Sequence, residues 1–211
     1  MESLNSHSSS TVLNYLAHLL LSGNDADLMV GNYIADGVKG RQVEQFSPRV
    51  RDGITVHREI DRYTDAHPVV EAMRERLRPH FRKYAGVVVD VYFDHFLALR
   101  WPDYGTGTLP EFAQQAYRLL QTRQHEFPER GVMFLHYMVR NNILVGYSTI
   151  EGIDQVFRGM AHRASFESGM EAGAAVLQED YAAVEQDFHD FFPALSQHIG
   201  TFIETLNHRG E

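Results

Sequence analysis

Apolar residues recur at steps of three and four along most of the chain, and this spacing predicts α-helices. No stretch alternates apolar and polar positions as a half-buried strand would. Helices are predicted over residues 12–21, 26–38, 50–67, 69–83, 87–101, 109–124, 131–145, 150–161 and 166–192, before a final turn that Pro193 starts. The pattern predicts an all-α fold, a compact multi-helix domain over residues 13–211 that follows a flexible Ser-rich tail at residues 1–12.

The segment 87–99 is apolar on every side except at Asp90, Asp94 and His95. A helix of this kind is normally buried, so these three polar residues are expected in the interior. Asp90 and Asp94 are four residues apart and share one helix face, where they would repel each other unless a cation lies between or near them.

Two other predicted helices carry polar pairs at the same spacing. Asn14 and His18 interrupt an apolar helix, and Asn32 and Asp36 lie four residues apart near the end of the next one. A single buried histidine is usually a hydrogen-bonded core residue. His18 therefore becomes a site candidate only as part of this set.

The helix at residues 50–67 changes from apolar to ionisable along one face. Steps of three or four residues lead from Val50 and Ile54 to His57 and Asp61. Burying an ionised carboxylate costs several kcal/mol unless a counter-charge, hydrogen bonds or a metal ion offsets the loss of water. Two interpretations follow: a divalent metal site, or a buried network of Asp–Arg or Asp–His pairs.

Composition and charge exclude several classes of function. The formal net charge of −9 argues against a general nucleic-acid binder, because neutralising phosphates needs a basic surface. The absence of cysteine rules out thiolate chemistry and fits a reducing compartment. No apolar run reaches the roughly 18 residues of a membrane span, and the N-terminus does not resemble a secretion signal. We therefore expect a cytoplasmic enzyme that acts without a membrane.

Several common catalytic motifs are absent, including the Gly-rich phosphate loop, the Gly-x-Ser-x-Gly elbow, His-Glu-x-x-His and the Glu-x-x-His of di-iron bundles. What remains is a collection of histidines and aspartates on helices. Such mixed imidazole and carboxylate ligands suit Mn²⁺, Fe²⁺, Zn²⁺ or Mg²⁺ in a hydrolytic site. Mn²⁺ is favoured because the carboxylates outnumber the histidines.

Five blocks of this sequence, in this order, resemble bacterial acyl carrier protein phosphodiesterases. They are NYLAH at 14–18, GNYIAD at 31–36, HREIDRYTD at 57–65, DVYFDHFL at 90–97 and GIDQVFRGMAHR at 152–163. The resemblance spans residues 13–198. It implies an atypical HD-phosphohydrolase-like fold, dependence on Mn²⁺, and removal of 4′-phosphopantetheine from a serine of holo acyl carrier protein.

With this resemblance, the histidines and aspartates can be assigned to a hypothetical metal site. The expected metal ligands are Asp36, His57, Asp61 and Asp94. The residues expected to contact these ligands, and not the metal itself, are Asp90, Asn14 and Asn32. The metal would lower the pKa of a bound water and polarise a phosphoryl oxygen.

Other residues receive catalytic and binding roles in the same hypothesis. We expect His95 or His18 to orient the water or to protonate the departing serine oxygen. Lys39 and Arg58 would bind the phosphate. HD enzymes are named for an adjacent His-Asp pair, and the pair His189-Asp190 has that order. It falls off the apolar face of its helix and is expected at the surface.

The predicted helix at residues 69–83 is crowded with basic side chains although the protein as a whole is acidic. Such runs are usually solvated helix faces. The alternative is a docking surface for the acidic carrier protein. The residues expected to dock it are Arg74, Arg78, Arg82 and Lys83.

Two other functions remain open from the sequence. The scaffold can host a metal phosphohydrolase that acts on a nucleotide or another small phosphoester. A protein of a different class, a non-catalytic helical binding protein, would bind no transition metal, and Asp36→Ala or Asp94→Ala would change little beyond stability.

Overall fold

The computed structural model of the chain describes residues 15–208. The predicted tail at residues 1–12 and the supporting residue Asn14 lie outside this range. The α-helices are α1 Tyr15–Leu21, α2 Ala26–Ile34, α3 Pro48–Ala66, α4 Pro68–Phe81, α5 Ala85–Leu99, α6 Trp101–Tyr104, α7 Leu109–Arg123, α8 Glu129–Arg140, α9 Ile143–Gly146, α10 Ile150–Arg163, α11 Gly173–Glu179 and α12 Tyr181–Asn207. Short 3₁₀ turns are Ala35–Gly37, Gly40–Gln45, Arg82–Tyr84, Gln124–Glu126 and Met170–Ala172. Residues 15–208 contain no strand, which confirms the all-α prediction.

Two predicted helices have different boundaries in the structure. The helix expected over residues 131–145 is interrupted after α8, because Asn142 adopts a left-handed backbone with φ 47° that a continuous helix does not allow. The helix expected over residues 166–192 is two helices, α11 and α12, which are separated at Asp180 and begin only at residue 173, after a loop in which Gly169 has φ 71°. Conversely, α12 continues through Pro193, where the sequence predicts a turn.

Helices α2 and α3 cross at two glycines, and this close approach builds the site. A Cβ added to Gly31 would lie 2.0 Å from the carbonyl oxygen of Val50, and one added to Gly53 would lie 2.4 Å from that of Leu28. Only glycine permits backbones to pack at this distance. The crossing places the C-terminal half of α2 directly beside the middle of α3.

Helix α5 runs through the interior, as its apolar sequence predicts. Its polar residues are buried too: Asp90 is 8%, Asp94 0% and His95 2% exposed. Asp94 accepts hydrogen bonds from the backbone N–H groups of Leu16 (3.0 Å) and Ala17 (2.9 Å). These are free donors in the first turn of α1, so Asp94 fixes the start of that helix.

A buried apolar cluster connects most of the helices, with the aromatic side of α12 packed against α5. Phe93 of α5 stacks on Phe191 of α12 with ring centroids 5.0 Å apart. Among the described residues, no helix is both long and apolar enough to cross a membrane.

Candidate metal centre

Three helices bring ionisable side chains together at the α2–α3 crossing. His18 comes from α1, Asn32 from α2, and His57 and Asp61 from α3, one turn apart. One ligand atom from each of His18, His57 and Asp61 lies within 4.8 Å of the others. Asp36, in the 3₁₀ turn that follows α2, contacts His57 from the side.

Asn32 fixes the tautomer of both histidines. Its Nδ2 donates to the backbone oxygen of His18 (2.8 Å) and to Oγ of Ser22 (3.0 Å), which identifies Oδ1 as the acceptor atom. Nδ1 of His18 lies 2.7 Å and Nδ1 of His57 3.0 Å from that oxygen. Both rings therefore carry a proton on Nδ1, and both Nε2 atoms face the carboxylates.

The spacing of these ligand atoms fits a divalent cation. His57 Nε2 lies 3.3 Å from Asp36 Oδ1 and 3.3 Å from Asp61 Oδ2, and His18 Nε2 lies 3.4 Å from Asp61 Oδ1. Ligands bound at about 2.1 Å around one ion are roughly 3.0–3.5 Å apart. His18 Nε2 is buried without a hydrogen bond, an arrangement that a coordinated ion would satisfy. The residues present thus fit a divalent metal.

The electrostatics of the cluster show how strongly the histidines and carboxylates interact. Burial lowers the pKa of His57, but its hydrogen bonds to Asp36 and Asp61 outweigh burial and raise that pKa to about 9. Burial raises the pKa of Asp61, yet the neighbouring His18 and His57 hold it well below the usual range. A metal ion would replace the proton on His57 as the positive charge between these groups.

The structure does not bring Asp94 into this cluster. Both of its oxygens accept backbone N–H groups of α1, and burial raises the pKa of its carboxyl to about 8 despite these bonds. It is not among the described residues whose ligand atoms meet at His18, His57 and Asp61. Asp94 acts on the site indirectly, because it holds the helix that carries His18.

His95 also lies in a separate network. Its Nδ1 donates to the backbone oxygen of Tyr147 (2.7 Å), which leaves Nε2 to accept the hydroxyl of Tyr181 (2.9 Å). Burial lowers the pKa of His95, so the ring is neutral. Both nitrogens are occupied, and neither contacts a member of the metal cluster.

Asp90 is buried in α5, and charged residues of α3 and α4 influence its carboxyl. Burial raises the pKa of its carboxyl well above the usual range, the charge of Asp61 adds to this, and Arg74 opposes it. The supporting position expected for Asp90 stays a prediction. Lys39 and Arg58 are exposed, Lys39 on the loop that follows Asp36 and Arg58 next to His57 on α3.

Comparison with known proteins places the chain in a family. The sequence model described as acyl carrier protein phosphodiesterase matches residues 13–195. The chain belongs to the acyl carrier protein phosphodiesterase family. A protein of that name from Photorhabdus laumondii is 31% identical over 88% of this chain and 94% of its own length. One from Escherichia coli O157:H7 is 35% identical over 87% of this chain and 95% of its own length. One from Serratia proteamaculans is 32% identical over 88% of this chain and 96% of its own length.

No solved structure matches this acyl carrier protein phosphodiesterase family member. The HD-like character of the fold therefore stays a prediction, as does the single domain over residues 13–211. The surface position expected for the His189-Asp190 pair is confirmed: the His189 side chain is 37% exposed, and Asp190 is exposed as well.

In this family member, the four residues expected to dock a carrier protein differ in how available they are. Arg74 forms an ion pair with Asp65, and Arg78 forms ion pairs with Glu71 and Glu75. Arg82 and Lys83 are exposed, and the Lys83 ammonium lies 4.3 Å from the ring centroid of Phe166. Half of this basic set is thus already neutralised within the chain.

The sequence pattern missed two features of the site. Ser22, at the turn after α1, supports Asn32 through its hydroxyl, and nothing in the helical spacing indicates this. The pattern also did not show that His18 would share the acceptor of His57. The i,i+4 pairing of Asn32 with Asp36 was a usable signal, since it put both residues on one face of the helix that ends at the cluster.

Proposed function

We propose that this protein hydrolyses the phosphodiester that joins 4′-phosphopantetheine to a serine of holo acyl carrier protein, and so yields apo acyl carrier protein. The observation that carries this proposal is the match to relatives named acyl carrier protein phosphodiesterase over 87–88% of the chain. The cluster of two imidazoles and two carboxylates supports it, because such ligands suit metal-assisted phosphoester hydrolysis.

The proposed cofactor is Mn²⁺, held by His18 Nε2, His57 Nε2 and Asp61. Asp36 lies beside this position and is partly exposed to solvent. Nitrogen and carboxylate donors in this ratio accept Mn²⁺ readily, while Mg²⁺, Fe²⁺ and Zn²⁺ are the alternatives that metal analysis separates. When bound, the ion lowers the pKa of a water molecule and polarises a phosphoryl oxygen. This ligand set includes His18, which the sequence suggests as a catalytic acid, and leaves out Asp94.

Hydrolysis adds the oxygen of water to phosphorus and leaves a proton on the serine oxygen, so a group of the enzyme must accept a proton from the water. Asp36 is the proposed acceptor, and its carboxyl then gives the proton to the serine oxygen as the bond from phosphorus to that oxygen breaks. Its side chain is 28% exposed, and its Oδ1 lies 3.3 Å from His57 Nε2, so this carboxylate borders the proposed metal position. A general base must reach both the water and the site, and Asp36 is the carboxylate at that boundary.

The geometry of the substrate restricts where the carrier protein docks. The bond to be cleaved joins the phosphate directly to the carrier serine, so the carrier surface must lie over the metal centre itself. Arg58 is exposed beside His57 and has no ion pair or hydrogen bond with the described part of the chain. Arg82 lies in the 3₁₀ turn after the end of α4, eight residues beyond Arg74. Arg58, with Lys39, is therefore proposed to bind the phosphate and the acidic carrier surface.

The proposed function is tested by incubating holo acyl carrier protein with the enzyme and Mn²⁺ and measuring the intact mass of the carrier. We expect the mass to fall by that of the phosphopantetheine group. An unchanged mass, together with rapid hydrolysis of a nucleotide or other small phosphodiester, would favour the other metal phosphohydrolase. The cytoplasmic location of the enzyme stays a prediction.

A further inference from the structure

Helix α8 keeps two aromatic side chains near the surface. Phe134 and Tyr137 are one helical turn apart and neither is fully buried, while Met133 beside them is 58% exposed. Across the described residues, only three large apolar side chains are exposed, and Met133 is one of them. Exposed apolar surface of this kind marks a candidate binding site.

Polar groups that lack partners border these aromatic rings. The Arg163 guanidinium lies 5.5 Å from the Tyr137 ring centroid and forms no ion pair within residues 15–208. The Tyr137 hydroxyl likewise has no hydrogen bond to the described chain. This hydroxyl packs closely against Gly159 of α10, since a Cβ added to Gly159 would lie 2.8 Å from the hydroxyl oxygen. We call Phe134, Tyr137 and Arg163 the aromatic strip; together they line a narrow cleft between α8 and α10.

The helix that carries Phe134 and Tyr137 begins close to Asp36. Gly37, directly after Asp36, packs so closely on the start of α8 that a Cβ on it would lie 3.3 Å from Pro128. Tyr33 of α2 donates its hydroxyl to the backbone oxygen of Gly131 at 2.8 Å. The start of α8 therefore forms one wall beside Asp36.

Tyr15 continues this connection from the other side. Its ring stacks on Phe134 with centroids 4.8 Å apart and packs against Tyr33 at 5.3 Å. The buried Tyr15 ring therefore links Tyr33 of α2 to Phe134 of the aromatic strip.

We propose that the aromatic strip binds the pantetheine arm of the substrate, an inference that rests on the proposed function. The phosphate carries the carrier serine on one side and the arm on the other, so the arm must leave the centre along a second path. The arm spans roughly 15 Å, the length of four to five extended residues. Residues 131–137 of α8 cover about 9 Å of such a path.

The chemistry of the strip matches that of the arm. The arm presents methyl groups and two amides, and carries no charge beyond its phosphate. The rings of Phe134 and Tyr137 offer apolar surface to the methyl groups. The hydroxyl of Tyr137 and the guanidinium of Arg163 offer hydrogen bonds to the amide oxygens. Binding sites that combine apolar walls with a few polar groups are typical for such ligands.

The test compares Tyr137→Ala, Tyr137→Phe and Arg163→Gln with wild type in three assays with Mn²⁺. These are the KM for holo acyl carrier protein, the inhibition constant of apo acyl carrier protein, and the hydrolysis of bis(p-nitrophenyl) phosphate. The apo carrier keeps the protein surface but lacks the arm, and the small diester lacks both. Leu99→Ala is the matched control, since Leu99 is exposed at the end of α5.

We expect Tyr137→Ala and Arg163→Gln to raise the KM for the holo carrier about 10-fold, with apo-carrier inhibition and small-diester hydrolysis unchanged. Tyr137→Phe, which keeps the ring, should fall between wild type and Tyr137→Ala. A KM within two-fold of wild type in all three variants would overturn the inference, and weaker apo-carrier inhibition would show that the strip contacts the carrier protein instead. Failure of wild type to cleave the holo carrier would instead refute the proposed function.

Discussion

At the scale of single residues, the site depends on one amide. Asn32 gives its oxygen to Nδ1 of both His18 and His57, so a single residue sets the tautomer and the direction of two ligands. Its own orientation is fixed by the carbonyl of His18 and the hydroxyl of Ser22. Residues that orient metal ligands in this way contribute strongly to metal affinity although they do not contact the metal.

Replacing Asn32 should weaken metal binding without removing any ligand. We expect Asn32→Ala to lower the affinity for Mn²⁺ about 10- to 100-fold, because both imidazoles lose the acceptor that orients them. The measurement is a calorimetric titration of the metal-free protein. Asn141→Ala, at the exposed end of α8, is the control and should bind as wild type does. Equal affinities of the two variants would show that Asn32 does not orient the ligands.

The raised pKa of His57 makes the stability of the metal-free protein depend on pH. The folded value is about 9, against 6.5 for the unfolded chain, so the stabilisation is complete below pH 6.5 and is lost as pH rises to 9. The raised pKa of Asp94, about 8, acts in the same direction up to pH 8.

For the metal-free protein we therefore expect the free energy of unfolding to fall by roughly 3–5 kcal/mol between pH 6.5 and 9. Urea unfolding across this range measures it. His57→Gln should show a smaller fall, with the part due to Asp94 remaining. A stability that rises with pH in the wild type would contradict the assigned interaction of His57 with Asp36 and Asp61.

At the scale of helices, the site exists because α2 and α3 cross at Gly31 and Gly53. The sequence contains these glycines, but their spacing does not reveal that they meet. The i,i+4 pattern predicted that Asn32 and Asp36 share one helix face and that His57 and Asp61 share another, and the structure brings these residues together. It did not predict which pairs across helices would touch, because that depends on the crossing and not on periodicity.

A methyl group at this crossing should separate the two helices. In Gly53→Ala the Cβ would lie 2.4 Å from the carbonyl oxygen of Leu28, so we expect a loss of roughly 2–4 kcal/mol and weaker metal binding. Gly200→Ala in α12 is the matched control, since a Cβ there meets nothing within 4 Å. It should be neutral or stabilise the helix by about 0.5–1 kcal/mol. The measurement is thermal unfolding of both variants with and without Mn²⁺. Equal melting temperatures would contradict the close packing of α2 and α3 at Gly53.

Periodicity also could not predict the hydrogen-bond partners of Asp94 and His95. Periodicity correctly predicted that both are buried, because the segment around them is apolar on every side. It could not show that the partners of Asp94 are backbone N–H groups of α1, or that Tyr147 and Tyr181 occupy both nitrogens of His95. Hydrogen bonds between residues so far apart in the sequence leave no mark on local spacing.

At the scale of the whole molecule, the proposed function requires an acidic chain to attract an acidic carrier protein. The net charge of −9 makes the overall field unfavourable, so attraction must come from local cations close to the metal centre. The basic helix α4 stands out in the sequence, yet Arg74 and Arg78 pair with acidic residues of the chain itself. Arg58 is less conspicuous in the sequence, but it is exposed directly after His57 on α3 and is the cation proposed to bind the substrate.

This difference gives a paired prediction on docking. We expect Arg58→Ala to raise the KM for holo acyl carrier protein about 10-fold and to reduce its dependence on salt, because a charge contact at the reaction centre is lost. Arg82→Ala should leave the KM and its dependence on salt close to those of wild type. Steady-state kinetics from low to moderate salt measures this. The opposite ranking of the two variants would place the carrier on α4.

The central claim is that the cluster of His18, His57 and Asp61 holds a divalent ion on which hydrolysis of the carrier phosphodiester depends. The most direct measurement combines elemental analysis with the mass of the carrier after incubation, for wild type and Asp61→Asn. We predict one equivalent of Mn²⁺ in reconstituted wild type and full conversion to apo carrier, with loss of both in the variant and after chelation. Full conversion by wild type from which all metal has been removed would contradict the claim.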